Sequence, residues 1–141
     1  MKQFYIESIR GSPKQISKDI KVDIGNEIAF PDEVITKSEC IFIKFSYPLI
    51  NEVIFQFTSK DGFTKKKFWE CINQGYNKIF DDEEKAVGKA KRICDINPTS
   101  SLINRQATKG PYGIWGYKIG DLWIECVIEI FPNYFELLIG S

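Results

Sequence analysis

GPYGIWGYKIGDLWIECVIEIFPNYFELLIGS, residues 110–141, decides how this fold closes. It opens as a loop rich in glycine and aromatic residues. From Leu122 onward the chain alternates, with Leu122, Ile124, Cys126, Ile128 and Ile130 on one side and Trp123, Glu125, Val127, Glu129 and Phe131 on the other. Successive side chains of a pleated backbone leave opposite faces, so this period of two predicts a long half-buried strand. Pro132-Asn133 has turn chemistry, because proline presets one corner of a turn and asparagine tolerates the other. Phe135, Leu137 and Ile139 then predict a return strand and a terminal hairpin.

Working outward, Ile41, Ile43 and Phe45 share one face of a strand, as do Val53, Phe55 and Phe57 of the next. Tyr47–Asn51 is the loop between them, with its proline kept off the ladder, so 40–59 predicts an antiparallel pair. Thr64 is a good N-cap for a helix, and Phe63 and Phe68 have the spacing of a hydrophobic staple. Phe68, Cys71, Ile72, Tyr76 and Ile79 then recur at helical period, with Lys66, Glu70, Asn73, Gln74 and Asn77 opposite. Asp81-Asp82-Glu83-Glu84 predicts the start of a second helix, since carboxylates suit a helix N-terminus and Asp81 with Glu84 has capping-box spacing. Ala86, Val87, Ala90, Ile93 and Cys94 make its apolar face, and Asn97-Pro98 ends it. Near the N-terminus, Phe4, Ile6 and Ile9 predict a short strand. Ile20, Val22 and Ile24 predict another, with Ile28 to Phe30 returning after the turn at Gly25-Asn26.

Bulk properties bound the function. The chain has 141 residues, 43% of them apolar, with 19 basic and 19 acidic side chains and no histidine. That length fits one domain, residues 1–141, and the apolar content fits a folded one. Zero net charge gives no general attraction to nucleic acid or to an anionic membrane. Without histidine there is no Ser-His or Cys-His pair, no imidazole base near neutral pH and no imidazole metal ligand. Catalysis would have to rely on carboxylates, lysine, tyrosine or thiols. Cys40, Cys71, Cys94 and Cys126 form no close pair, so they read as small core residues and not as zinc ligands. No apolar run has the roughly 20 residues of a membrane span, and no leader pattern opens the chain. The expectation is an intracellular protein with free thiols and no cofactor.

Four constellations are candidates for a site. Lys60, Lys65, Lys66 and Lys67 flank the start of the first helix, where free amides and ammonium groups together suit an anion or a nucleotide phosphate. Against this, consecutive helical side chains diverge by about 100° and would splay into solvent. Lys85, Lys89 and Arg92 line one face of the second helix, which a solvated surface explains as well as nucleic acid does. The loop and strand aromatics Tyr112, Trp115, Tyr117 and Trp123 are of the types enriched as interface anchors. The competing reading is that the loop plugs the core through Ile114 and Trp115. Its glycines match neither GxGxxG nor the phosphate-loop pattern. Finally, period two puts Asp121, Glu125 and Glu129 on one face with Trp123 and Val127. Residues four apart on a strand lie roughly 13 Å apart, too far to share one metal ion unaided.

Three strings carry a resemblance: TKGPYGIWGYKIGDL at 108–122, FSYPL at 45–49 and GFTKKKF at 62–68. They resemble an uncharacterised group of small proteins from giant DNA viruses, amoebae and other protists. Members of that group often read GHD where this chain has Gly116-Tyr117-Lys118, so any histidine chemistry there is lost in this copy. The resemblance implies the block layout and no mechanism.

These readings converge on an α+β fold, an antiparallel sheet of about four to six strands with one or two helices on one face. The expected function is non-enzymatic binding, to a protein partner or to a second copy in a homodimer. An anion- or nucleotide-binding module is the alternative, and a carboxylate-metal hydrolase the third reading.

Overall fold

The terminal hairpin, the 40–59 pair and the first helix are the frame on which everything else sits. The computed structural model describes residues 4–6, 9–13, 30–87, 110–114 and 122–140. In chain order the elements are β1 (Phe4–Ile6), β2 (Val34–Thr36), β3 (Cys40–Phe45), β4 (Val53–Thr58), β5 (Phe63–Thr64), α1 (Lys65–Val87), β6 (Trp123–Phe131) and β7 (Tyr134–Gly140). Five strands form one sheet in the order β1-β6-β7-β3-β4, and β2 with β5 forms a separate two-stranded ribbon. The fold is α+β, with the helix packed on the sheet.

The sheet is mixed where sequence alone predicts an antiparallel one. β3 and β4 are antiparallel, as are β6 with β7 and β1 with β6, but β3 and β7 run parallel. Hairpin signals specify the direction of strands joined by a short turn. β3 and β7 are brought together only by tertiary packing, and nothing local fixes their relative direction. Asn133 stabilises this seam. It holds φ 66° at the second corner of the β6–β7 turn, where an L-residue other than asparagine, aspartate or glycine is costly. Its carbonyl accepts the Phe42 N–H at 2.8 Å, and its side-chain oxygen accepts the Thr36 hydroxyl at 2.8 Å. One residue thereby ties the hairpin to β3 and to the ribbon.

The inward face of the sheet carries Ile41, Ile43 and Phe45 from β3, Ile124 and Val127 from β6, and Phe135 and Leu137 from β7, all buried. Helix α1 covers it with Phe68, Trp69, Cys71, Ile72, Tyr76 and Ile79. Phe68 meets Phe135 edge-on with ring centroids 4.8 Å apart, and Tyr76 meets Phe45 at 5.0 Å. The helix begins as its sequence predicts. The Thr64 hydroxyl accepts the Lys67 N–H at 3.1 Å, and both staple residues, Phe63 and Phe68, are fully buried. It buries a wider arc than its apolar stripe. Asn73, expected on the wet face, is buried with its amide donating to the Trp69 carbonyl at 2.9 Å. Gly75 lets the helix approach β3, since a Cβ there would strike the Phe45 ring.

The predicted restart at Asp81 does not occur, because α1 runs unbroken from Lys65 to Val87. No glycine or proline interrupts 76–87, and the carboxylates have other partners. Asp82 pairs with Lys78 one turn back at 3.0 Å, and Glu83 turns inward. Ala86, expected on an apolar face, is exposed. Ala90, Ile93, Cys94, Lys89, Arg92 and Asn97-Pro98 lie outside the described residues, as do Ile20, Val22, Ile24, Gly25-Asn26 and Ile28. No described helix is long and apolar enough to cross a membrane.

Candidate functional site

The aromatic loop is built around a carboxylate. Glu83, in the last turns of α1, is 2% exposed. Its Oε2 accepts the N–H of Gly110 at 3.0 Å and of Gly113 at 3.1 Å, and its Oε1 accepts the N–H of Tyr112 at 2.9 Å. Three backbone amides thus converge on one buried anion, the arrangement by which a turn of chain forms an anion-binding concavity. Here the anion is the protein's own. Gly110 has no room for a Cβ beside that carboxylate, and Gly113 sits at φ 67°. The loop also pairs with the β3–β4 connection: Ile50 N–H to the Gly113 carbonyl and Asn51 N–H to the Tyr112 carbonyl, each at 2.9 Å.

Tyr112 belongs to this construction. It packs partly buried against the core, and its hydroxyl donates to Asp82 Oδ2 at 3.1 Å. Burial raises its pKa, helped by the bond to Asp82. The bond to Lys78, with the Tyr112 hydroxyl as a further donor, lowers that of Asp82. Ile114 is buried and bridges to Leu49. The described part of the loop is therefore committed to the fold. Trp115 and Tyr117 lie outside the described residues.

Trp123 is placed differently. It is 45% exposed on the sheet face turned away from α1. The acidic row expected beside it is broken by a β-bulge. The β6–β7 register shifts between Ile124 and Cys126, so Glu125 is extra and the alternation changes phase. Val127 consequently points into the core. Glu129 pairs with Phe135 on that inner face, its carboxylate accepting the Asn133 N–H at 3.2 Å. Trp123, Glu125 and Glu129 thus do not form one row, and Asp121 lies outside the described residues. Among the described residues no group of three or more cysteine, aspartate or glutamate side chains is placed to hold a metal ion.

The lysines around the helix start are also separated. Lys65 is buried, pairs with Glu33 at 3.2 Å and lies over the Phe30 ring. Lys60, Lys66 and Lys67 are exposed. The first helical amides have internal acceptors: Lys65 N–H to the Glu33 carbonyl, Lys66 N–H to the Pro31 carbonyl, and Lys67 N–H to Thr64. The amide half of the anion site is thus occupied by the chain itself.

Among the described residues no element covers the outer face of the sheet. One register row crosses all five strands there: Tyr5, Ile128, Glu136, Lys44 and Ile54. At its centre Lys44 meets Glu52 at 2.8 Å and Glu136 at 3.6 Å, and the Glu52 bond raises its pKa. Around that pair Tyr5, Phe42, Ile54, Trp123 and Leu138 are each between 41% and 58% exposed. The sequence marks Trp123 alone among these. Leu138 and Phe42 lie in strands whose neighbours are known only from the tertiary pairing.

Compared with known proteins, the chain matches no family model, no curated protein and no solved structure.

Proposed function

We propose that this chain is a binding domain for a protein partner, and that the outer face of the five-stranded sheet is where the partner docks. The observation that supports this reading is the apolar and aromatic cluster of Tyr5, Phe42, Ile54, Trp123 and Leu138 around a central ion pair. Large exposed apolar side chains gathered on one face, with a polar group to fix orientation, have the make-up of an interaction surface. Five strands spaced at about 4.8 Å give this face a width of roughly 20 Å, enough for a helix or a strand pair to lie across it. Of the two aromatic anchors that lie among the described residues, Tyr112 and Trp123, it is Trp123 that contributes to this face.

Trp123→Ala combined with Leu138→Ser tests the reading. Both side chains project from the face, so thermal stability should be little changed. Affinity capture from native host extract, compared quantitatively between wild type and variant, should reveal a protein held by the wild type and lost by the variant. A wild type and a variant of equal stability that capture the same proteins equally would refute it. The anion-binding alternative predicts a thermal shift with inorganic phosphate or nucleotides that Lys66→Glu with Lys67→Glu removes.

A further inference from the structure

The free edge of β4 has the chemistry of a self-pairing strand, and we infer that two copies of this chain join antiparallel along it into one continuous sheet. Among the described residues β4 is the last strand of the sheet and pairs on one side only, with β3, over six residues in unbroken register. Its sequence, Val-Ile-Phe-Gln-Phe-Thr, contains no charge, proline or bulge, the devices that keep sheet edges apart. Its inward residues are incompletely covered. Val53, Phe55 and Phe57 are half-buried, whereas Ile41, Ile43 and Phe45 of the neighbouring strand are fully buried.

The hydrogen-bond phase fixes which groups are free. Ser59 N–H donates to the Glu39 carbonyl at 2.8 Å, toward β3. At the period of an antiparallel ladder, residues 57, 55 and 53 also face β3, and Ile54, Gln56 and Thr58 turn their N–H and C=O to the open edge. A two-fold axis through Gln56 places Gln56 opposite Gln56 of the copy and Ile54 opposite Thr58. Each is then a hydrogen-bonded pair, giving about six main-chain bonds. The faces match as well, with Phe55 opposite Phe57 on the core side. The same register carries Glu52, whose carboxylate also meets Lys44, toward Lys60 of the copy at both ends, and Glu52 and Lys60 are both exposed. This charge complementarity selects a second copy over an unrelated extended peptide, and it selects this register over one centred on Phe55, which would set Glu52 against Thr58.

The edge shares Ile54 and Glu52 with the face around Trp123, but Gln56→Pro alters the edge alone and Trp123→Ala with Leu138→Ser the face alone, so the two readings fail separately. Light scattering on the purified full chain, at concentrations up to about 100 μM, should give twice the 16.3 kDa monomer mass. Gln56→Pro removes an N–H that β3 does not use, and should yield a monomer with native circular dichroism. Ile54→Lys, an exposed edge charge, should do the same and serves if the proline variant misfolds. Glu52→Lys and Lys60→Glu should each weaken the dimer about fivefold or more, and together restore it. A monomeric wild type overturns the inference, including one that binds an extended peptide at this edge. So does a dimer indifferent to Ile54→Lys and the charge exchange. Either result leaves the Trp123 test standing.

Discussion

Glu83 shows what a single buried charge requires. Taking a carboxylate out of water is costly unless hydrogen bonds replace its hydration, and here the amides of Gly110, Tyr112 and Gly113 supply them. The dependence runs both ways. Glu83→Ala would leave those N–H groups without their acceptor and should cost about 3 kcal/mol or more, read as a lower urea midpoint. Glu83→Gln keeps one carbonyl oxygen and should cost less. Hydrogen exchange supplies the sharper check, because the amides of Gly110 and Gly113 should lose protection in the alanine variant. Unchanged protection there would mean that the loop is held by other contacts. The sequence hides this role. Four acidic residues in a row read as the start of a helix, and only the loop folded back from the far side reveals the second of them as the acceptor of the Tyr112 hydroxyl and the third as core.

At the level of elements, α1 and the strands it covers show where local pattern suffices and where it fails. The cap at Thr64, the staple of Phe63 and Phe68, and the stripe from Phe68 to Ile79 follow from spacing alone, and each lies where its spacing predicts. The bulge at Glu125 does not follow, because one extra residue in a strand leaves the composition of both faces plausible. Gly75 is similar. In a helix, glycine to alanine gains about 1 kcal/mol of propensity. Gly75→Ala should nevertheless destabilise, since its Cβ would meet the Phe45 ring, which is fully buried between Phe55 and Tyr76. Overpacking of this kind costs about 1–3 kcal/mol. In a Phe45→Leu background the same change should become neutral or stabilising, so a double-mutant cycle measures the contact directly. Equal effects in both backgrounds would place the strain elsewhere.

For the whole molecule, two buried acids make stability depend on alkali. Burial pushes the Cys71 thiol from 9.0 up to about 12, and raises the Tyr76 phenol well above its ordinary value of 10.0. Both folded values exceed the unfolded ones, so the stability they contribute is complete below pH 9 and is lost as pH rises. Each group removes about 1.4 kcal/mol per pH unit, Cys71 from pH 9 and Tyr76 from pH 10. Unfolding free energy should therefore fall by about 4 kcal/mol between pH 8 and pH 11. Cys71→Ala with Tyr76→Phe should flatten that slope, and an unaltered slope would assign it to the lysines instead. The α+β class was legible at this scale from strand and helix periods. The mixed pairing and the open face were not, since both depend on how two hairpins meet.

The parallel seam also orders events in time. β7 lies between β6 and β3, yet it is the last strand in sequence. While a ribosome is still making residues 134–140, β3 has no neighbour on that side, and Phe68 lacks the ring of Phe135. The nascent chain must wait with an unfinished sheet, a state in which such edges recruit other chains. A chain halted before residue 134 would therefore keep that edge of β3 unpaired, and the sheet closes only when the hairpin slots in beside it.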